Sequence, residues 1–359
     1  MKPRTQFAAV LHQALVLPEI LAERCVHSAL ETASCQACVD SCPRDAWVLD
    51  DASLGINTEV CDGCGLCAAA CPQAAIAQPH EPAISDWHGR RLAFAACERA
   101  AVDSGPAVLP CLHALGMRDL LRLAGSGVTR LVIARADCDT CPRGRGETLP
   151  QRLAAINVML ADRGRASLEL LDQDPAHWQR MCAALPVAGG PVVGRRAFLG
   201  RAIGAGLRQG LRLTGLHAAD RAVLTPPGAL IPRTRSTDIV PFAPTIDAEQ
   251  CSGCDACVRL CPQAAIVLDH TAAQPAYRIV AEQCSGCGVC SDVCDSNAVS
   301  VACWQPVAAE AIPLWTGRCE ACGVPFHRPQ TGRANDPLCP ICTRTQRHRN
   351  LYQVFGNQP

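Results

Sequence analysis

The sequence predicts a multidomain protein of mixed α/β and α+β class, in which a parallel-sheet α/β domain lies between small cysteine-rich modules. Two observations support this prediction. The 359-residue chain contains 26 cysteines, and 24 of them fall in four blocks at residues 25–71, 97–141, 251–294 and 319–342. Between the first and third blocks, short apolar runs alternate with stretches of helical spacing, an order typical of a parallel sheet covered by helices.

The overall composition excludes several classes of protein. The 33 basic and 33 acidic residues cancel, so no global field selects nucleic acid, an anionic membrane or an acidic substrate. The apolar stretch before Cys25 is interrupted by polar residues and Pro18, and no run approaches the roughly 18 apolar residues that span a bilayer. We therefore expect a soluble, cytoplasmic protein, whose cysteines bind metal or do redox chemistry more often than they form disulfides.

The third block contains two successive CxxCxxCxxxC runs. In such runs three thiolates of a tight loop bind one [4Fe-4S] cluster, and the fourth cysteine binds the neighbouring cluster. The predicted ligand sets are Cys251, Cys254, Cys257 and Cys294 for one cluster, and Cys284, Cys287, Cys290 and Cys261 for the other. The runs resemble bacterial two-cluster ferredoxins, although Asp295 stands where a proline would follow the last cysteine. The alternative is a pair of structural zinc sites, but zinc ligands usually come as separated CxxC pairs.

The first block repeats this pattern with one irregular half. Residues 61–76 match residues 251–266 closely, which an internal duplication explains. In the other half Thr32 stands at the first cysteine position, and Cys25 is the natural substitute, reached by a longer loop. The predicted sets are Cys25, Cys35, Cys38 and Cys71 for one cluster, and Cys61, Cys64, Cys67 and Cys42 for the other. Alternatively, Cys25 is an unligated core thiol beside a three-iron cluster or a cluster with another fourth ligand.

Four cysteines follow the predicted strands of the central region. The strands are predicted at 91–96, 107–109, 128–134 and 167–171, and the helices at 115–123, 149–162 and 175–185. Cys97, Cys111 and Cys138 follow the first three strands, and Cys141 comes shortly after. Because the carboxyl ends of parallel strands share one edge, these thiols should converge. Convergence fits a [2Fe-2S] cluster and, less well, a tetrahedral zinc; buried cysteines without metal are the alternative.

This region resembles the iron-sulfur (delta) subunit of methyl-viologen-reducing hydrogenases that serve heterodisulfide reductase. The matching segments are 94–97, 109–111, 128–134 with Cys138 and Cys141, and the helix from Leu149. That family commonly has further cysteines near the first segment, which residues 98–101 do not supply. The resemblance implies an electron-relay domain with a [2Fe-2S] cluster.

The fourth block has the CxxC-x16-CxxC spacing of two knuckles that close on one tetrahedral ion. Its cysteines are Cys319, Cys322, Cys339 and Cys342. We expect zinc, because the segment is so short that metal binding must supply much of its folding free energy. Iron in a rubredoxin-like site is the alternative, and the basic residues 344–349 raise the less favoured hypothesis of DNA binding. Cys182, expected in a core, and Cys303 are left without a metal role.

The predicted domains are a first ferredoxin module at 20–85, the α/β iron-sulfur domain at 88–186, a basic linker with an amphipathic helix at 187–244, a second ferredoxin module at 245–303 and a zinc ribbon at 315–345. Within the linker, residues 194–200 resemble a twin-arginine export motif, but they lie far inside the chain, and arginines interrupt the segment after them. As a helix, residues 194–213 would offer an apolar face for weak docking to a partner or a membrane surface.

The predicted function is that of a polyferredoxin-type electron-transfer subunit with four [4Fe-4S] clusters, one [2Fe-2S] cluster and one Zn²⁺. The sequence offers no evident nucleophile, paired carboxylates or phosphate-binding glycine loop, so we expect no substrate chemistry of its own. The expected partner is the catalytic subunit of a redox enzyme such as a hydrogenase or formate dehydrogenase, with no nucleic acid. The alternatives are a maturation factor for a molybdenum or nickel oxidoreductase and a redox-responsive nucleic-acid-binding regulator.

Overall fold

The computed structural model describes residues 17–49, 54–78, 80–105, 107–144, 148–184, 225–271, 274–307, 310–331 and 337–347. The helices are α1 (Val26–Ala29), α2 (Ala37–Asp40), α3 (Leu66–Ala70), α4 (Met117–Gly125), α5 (Leu149–Asp162), α6 (Pro175–Ala183), α7 (Ala256–Leu260), α8 (Val289–Asp292) and α9 (Pro340–Arg347). The strands are β1 (Glu19–Ile20), β2 (Trp47–Leu49), β3 (Leu54–Ile56), β4 (Ile76–Ala77), β5 (Ala83–Trp87), β6 (Arg90–Cys97), β7 (Val108–Leu109), β8 (Arg130–Ala134), β9 (Glu169–Asp172), β10 (Ile239–Ile246), β11 (Ile266–Asp269), β12 (Ala276–Ile279), β13 (Val299–Pro306), β14 (Ala311–Arg318) and β15 (Pro325–Pro329). The basic segment 194–213, with its twin-arginine-like motif, lies outside the described residues.

The central region is an α/β domain on a five-stranded sheet. Strand β6 pairs in parallel with β7 and β8, and β9 continues the sheet parallel to β8. Helices α4 and α5 connect these strands, and α6 follows β9. The prediction of an α/β region with a parallel sheet is therefore confirmed. Strand β5, which the sequence analysis did not predict, adds an antiparallel edge next to β6.

Helices cover both faces of this sheet because their apolar residues repeat with helical spacing. On one face, Leu120 and Leu121 of α4 and Ile156 of α5 are fully buried against Leu131 of β8. On the other face, Trp178 of α6 packs in the cluster that contains the buried Phe94 and donates its indole N–H to the Val132 carbonyl at 3.2 Å.

The helix starts follow from local sequence. At α6, Asp174 accepts hydrogen bonds from the backbone N–H groups of Ala176 and His177, and Pro175 occupies the first helical turn, where its missing N–H costs nothing. At α5, the Gln151 side chain accepts the backbone N–H of Thr148 at 2.8 Å, which completes a capping box.

The two cysteine-rich modules consist of short strand pairs and short helices. In the first module β1 pairs with β4 and β2 with β3, all antiparallel. In the second module β10 pairs with β13 and β11 with β12 in the same sense. Short helices follow cysteines in both modules, namely α1, α2 and α3 in the first and α7 and α8 in the second.

Residues 225–244, which the sequence analysis assigns to a linker, are ordered and packed; that assignment is wrong for this stretch. The Asp238 carboxylate is fully buried and accepts hydrogen bonds from Thr234 and Arg235, which closes a tight turn. Ile231 joins the core of the central domain. The Arg163 guanidinium donates to the carbonyl oxygens of Ile231 and Ile239. The stretch thus fastens the second module to the central domain.

The C-terminal strands extend the sheet of the second module. Strand β14 pairs with β12, and β15 pairs with β14, which gives the sheet order β11-β12-β14-β15. The region around the fourth cysteine block is therefore joined to the second module by backbone hydrogen bonds. Across the described ranges, every helix is too short or too polar to traverse a bilayer.

Candidate metal centres

The last cysteine of each CxxCxxxC run lies in the same local structure. In all four runs its Sγ accepts the backbone N–H of the residue four positions on, at 3.2 to 3.4 Å. The donor–acceptor pairs are Ala46 to Cys42, Ala75 to Cys71, Ala265 to Cys261 and Ala298 to Cys294. Donors aimed at sulfur stabilise a thiolate, which is the form that binds iron.

A left-handed residue in each run turns this N–H toward the sulfur. The residues are Asp45 (φ 51°), Ala74 (49°), Ala264 (52°) and Asn297 (52°), each three positions after the cysteine. Because left-handed backbone is costly for residues with a Cβ, its recurrence indicates a shared requirement of the site. The run that ends with Asp295 in place of proline has the same geometry, so this departure leaves the cysteine position unchanged.

In the second module the thiols lie in two groups. Burial raises the pKa of Cys257 to about 12, and the nearby thiols of Cys251, Cys254 and Cys294 contribute. Burial likewise raises the pKa of Cys290 to about 12, with contributions from Cys284, Cys287 and Cys261 and a smaller one from Cys257 of the other group. These are the two sets assigned by spacing. We call them the Cys251 centre and the Cys284 centre.

The first module groups its thiols in the same crossed way. Burial raises the pKa of Cys67 to about 12, and Cys64, Cys42 and Cys61 contribute. Burial also raises the pKa of Cys38 to about 12, with contributions from Cys71, Cys35 and Cys25. We call these groups the Cys61 centre and the Cys25 centre.

Cys25 lies in a local structure shared with a regular first cysteine. It directly follows a one-turn 3₁₀ helix, and its N–H donates to the Ala22 carbonyl at 3.0 Å. Cys284 follows a similar turn and donates to Ala281 at the same distance. The longer loop after Cys25 is closed by His27, which is buried and whose Nε2 lies 2.7 Å from the Cys35 carbonyl oxygen. His27 could not be identified from the sequence, because a lone histidine carries no spacing signal.

The four central cysteines line one small cavity at the carboxyl edge of the parallel sheet. Cys97 ends β6, Cys111 follows β7, and Cys138 and Cys141 lie in the loop after β8. Burial raises the pKa of Cys111 to about 12, with Cys97, Cys64 and Cys141 contributing. We call the group of Cys97, Cys111, Cys138 and Cys141 the central site. His113 also lines the cavity, but its Nδ1 accepts the backbone N–H of Leu149 at 2.9 Å, which fixes the start of α5.

Arg143 connects the central site to the first module, a role that the sequence did not reveal. Its guanidinium donates to the Asp62 carboxylate at 2.8 Å, to the Glu98 carboxylate at 2.6 Å and to the Pro110 carbonyl at 2.7 Å. Burial alone would lower the pKa of Arg143, but the hydrogen bonds to Asp62 and Glu98 raise it. A permanently charged side chain, 8% exposed, therefore lies among residues that adjoin cysteines of both centres.

The fourth cysteine block forms a compact four-thiol group. The Sγ atoms of Cys319, Cys322, Cys339 and Cys342 all lie within 4.8 Å of one another. The separation of 3.8 Å between Cys322 and Cys339 equals the roughly 3.8 Å expected for two sulfurs bound tetrahedrally to one zinc. The Cys339 N–H donates to the Cys319 sulfur at 3.3 Å, which lowers the pKa of Cys319 to about 6. The donor set thus fits one tetrahedral metal ion.

The two remaining cysteines lie elsewhere. Cys182 is half-buried on α6 and packs against the cluster around Trp178, and burial raises its pKa to about 11. Its expected packing role agrees with this position. Cys303 is exposed on β13.

Comparison with known proteins identifies the two cysteine-rich modules. The profiles of two protein families, each described as a 4Fe-4S dicluster domain, match residues 33–76 and 250–298. A ferredoxin from Rickettsia felis (strain ATCC VR-1525 / URRWXCal2) is 39% identical over 57 residues, which are 16% of this chain. The aligned part spans about half of that ferredoxin, 51% of its length. The chain therefore carries two 4Fe-4S dicluster domains of the ferredoxin type.

Proposed function

We propose that the protein is an iron-sulfur electron-transfer subunit that relays electrons between a redox enzyme and another donor or acceptor. The observation that carries the proposal is the fourfold recurrence of one cysteine geometry, within two domains that match 4Fe-4S dicluster families. We assign one [4Fe-4S] cluster each to the Cys25, Cys61, Cys251 and Cys284 centres.

We assign a [2Fe-2S] cluster to the central site. Among the described residues, only the C-terminal cysteine block brings three or more candidate ligand atoms within 4.8 Å of one another. The central thiols line a common cavity but are spread more widely, which favours a two-iron cluster over a single zinc ion. The resemblance to the hydrogenase delta subunit supports the same assignment. Glu98 lies in the stretch 98–101, near which that family commonly has further cysteines, and here it binds Arg143.

We assign Zn²⁺ to the C-terminal cysteine block, where its role is structural. Four cysteines provide a closed tetrahedral set without an open position for a substrate. The ion would hold β15 and α9 together, since Cys319 follows β14, Cys339 precedes α9 and Cys342 lies within it. The domain limits given by the sequence remain part of this proposal, with residues 225–244 reassigned to the packed contact between the central domain and the second module.

The protein's own groups would control where electrons reside. A bound iron-sulfur cluster supplies one-electron redox chemistry. The backbone N–H groups that donate to Cys42, Cys71, Cys261 and Cys294 favour the more negative, reduced state. The buried Arg143 charge acts in the same direction between the central site and the Cys61 centre. Where the thiols are buried, as at Cys42, Cys64 and Cys111, water is excluded, which strengthens both effects.

Anaerobic purification with metal and sulfide analysis tests the proposal. We expect about 18 iron atoms and about one zinc per chain. Redox-poised EPR should show reversible signals of both cluster types. A chain whose clusters cannot be reduced and reoxidised would refute an electron-transfer role.

A pair of variants tests the central assignment in the full-length chain. Cys138→Ala together with Cys141→Ala should remove about two iron atoms and the [2Fe-2S] signal, and leave zinc unchanged. Cys182→Ala is the matched control, because that cysteine belongs to a packing cluster, and it should leave iron unchanged. Unchanged iron in the double variant would contradict the assignment.

A further inference from the structure

The contacts between the modules lie directly beside cysteines of the proposed centres. At the first junction, the buried Cys64 of the Cys61 centre packs with Leu66 and with Cys111 of the central site. Arg143 spans the same junction, because it binds Asp62, which follows Cys61, and Pro110, which precedes Cys111. The central site therefore adjoins the Cys61 centre.

At the second junction the two ferredoxin modules meet. The Asp292 carboxylate accepts the backbone N–H of Ser34 at 2.9 Å and its hydroxyl at 2.7 Å. Ser34 directly precedes Cys35, and Asp292 lies between Cys290 and Cys294.

Two hydrogen bonds, one of them buried, strengthen the second junction. The Gln73 side chain donates to Ser285 Oγ at 2.8 Å and accepts from Gln263 Nε2 at 2.9 Å. Ser285 follows Cys284, and Gln73 and Gln263 lie two positions after Cys71 and Cys261. The Cys25 centre therefore adjoins the Cys284 centre.

Within each module the two centres share a packed core. Cys42, Cys67, Cys38 and Cys71 belong to one apolar cluster of the first module. Cys257, Cys290 and Cys294 belong to one cluster of the second. Beyond the Cys251 centre lies the C-terminal cysteine block, whose spacing fits zinc, an ion without redox chemistry.

From these adjacencies we propose that the five redox centres form one unbranched path, in the order central site, Cys61 centre, Cys25 centre, Cys284 centre and Cys251 centre. The inference rests on the proposed electron-transfer function and adds the sequence of transfers. Each step passes one electron between adjacent centres, oxidising the donor and reducing the acceptor by one, and no bond forms or breaks. A one-electron donor at one end and a one-electron acceptor at the other complete the balance.

Magnetic coupling between reduced clusters tests the order, because it reports adjacency. The full-length protein is reduced with dithionite, and EPR spectra are compared between two variants. Each variant lacks the first two cysteines of one of the two runs in the second module. Cys284→Ala with Cys287→Ala removes the Cys284 centre, and we expect the signal of the Cys25 centre to lose that coupling. Cys251→Ala with Cys254→Ala removes the terminal centre, and the Cys25 signal should stay unchanged. The reverse pattern would overturn the order.

A second pair of variants leaves every cysteine in place. Asp292→Ala removes the bonds to Ser34, and we expect weaker coupling between the Cys25 and Cys284 centres with unchanged iron content. Asp295→Ala, three positions further along the chain, is the matched control, since Asp295 pairs instead with Arg344 of α9. Equal coupling in the two variants would count against the junction.

The outcomes separate the order from the function. Clusters that can be neither reduced nor reoxidised at any poised potential would refute the electron-transfer role itself. Clusters that are reducible but coupled in other pairs would refute only the proposed path.

Discussion

Arg143 is a buried cation that stabilises a junction of anionic groups. It makes hydrogen bonds to two carboxylates and to backbone oxygen, so its desolvation is offset by several charge-assisted bonds. Although burial would raise the pKa of Asp62, the contact with Arg143 lowers it, so the carboxylate stays charged at neutral pH. The positive charge then compensates both this carboxylate and the added negative charge of a reduced centre.

Replacement of Arg143 should therefore lower reduction potentials on both sides of the junction. For Arg143→Gln we expect the potentials of the central site and the Cys61 centre to fall by roughly 50 mV, because the cation is lost while Asp62 and Glu98 remain. Arg143→Lys keeps the charge but not the forked geometry and should show a smaller fall. Arg130→Gln, at a partly exposed ion pair with Glu169, is the control. Redox-poised EPR measures all three, and unchanged potentials in both Arg143 variants would contradict this role.

At the scale of elements, β15 packs against the first cysteine loop of the second module. Asp255 on that loop accepts the Tyr277 hydroxyl at 2.7 Å and lies 2.8 Å from His327 Nε2 of β15. The Thr331 hydroxyl donates to the Ala248 carbonyl at 2.7 Å. Gly253 is in the left-handed region (φ 76°), and a Cβ there would meet the backbone of His327 and Arg328. The approach of β15 thus depends on a residue without a side chain.

Gly253→Ala should displace β15 from this loop. The substitution adds both left-handed strain and a clash with backbone, and we expect a loss of about 2 kcal/mol in the free energy of unfolding. Gly288→Ala is the matched control, because Gly288 has a similar φ of 80° but open space around its Cβ position. Denaturant unfolding of the metal-loaded protein gives the difference between the variants. Equal losses would show that strain alone matters and that β15 does not press on Gly253.

The elements also show which parts of the fold the sequence can predict. Strands β6 to β9 and helices α4 to α6 are found near their predicted positions, because their apolar periodicity reflects burial in one domain. Strand β10 was missed because Pro241 and Pro244 are typical of linkers. Both prolines are tolerated there since β10 pairs with β13 alone and has a free edge within the described sheet. Strand β5 alternates between partly buried and exposed residues at a sheet edge, so its signal is weak.

The candidate sites also contain some residues that the sequence can predict and others that it cannot. The cysteine groupings follow from spacing, since a CxxCxxC loop brings its ligands together locally. Arg143 and Asp62 are 81 positions apart, and Ser34 and Asp292 are 258 apart. Contacts of this kind depend on how modules pack, which neither motif nor periodicity encodes.

At the scale of the whole molecule, the modules are joined on several sides. Arg118 of α4 donates to the Cys71 carbonyl at 3.2 Å, which attaches the central domain to the first module. Arg163 of the central domain binds residues that lead into the second module. The C-terminal strand β15 then packs against one side of the loop of the Cys251 centre, while Cys254 on that loop is exposed. We expect protection of that outer centre to depend on the C-terminal metal, while the inner centres should be insensitive to it.

Loss of the proposed C-terminal zinc ion should therefore weaken one end of the molecule selectively. In Cys319→Ala with Cys322→Ala, the ion can no longer organise β15 and α9, since metal binding provides much of the folding free energy of such short segments. Once β15 detaches, Asp255 loses its contact with His327, and the loop around the already exposed Cys254 becomes more accessible to oxygen. In air, the Cys251 centre should then lose its iron several-fold faster than in the unmodified protein, while the Cys61 centre, next to the buried Arg143, decays at its former rate. Hydrogen exchange should rise at 247–260 and stay unchanged at 61–71. Cys182→Ala controls for the loss of a thiol as such, and equal decay of both centres in the zinc-free variant would contradict a local protective role for the C-terminal strands.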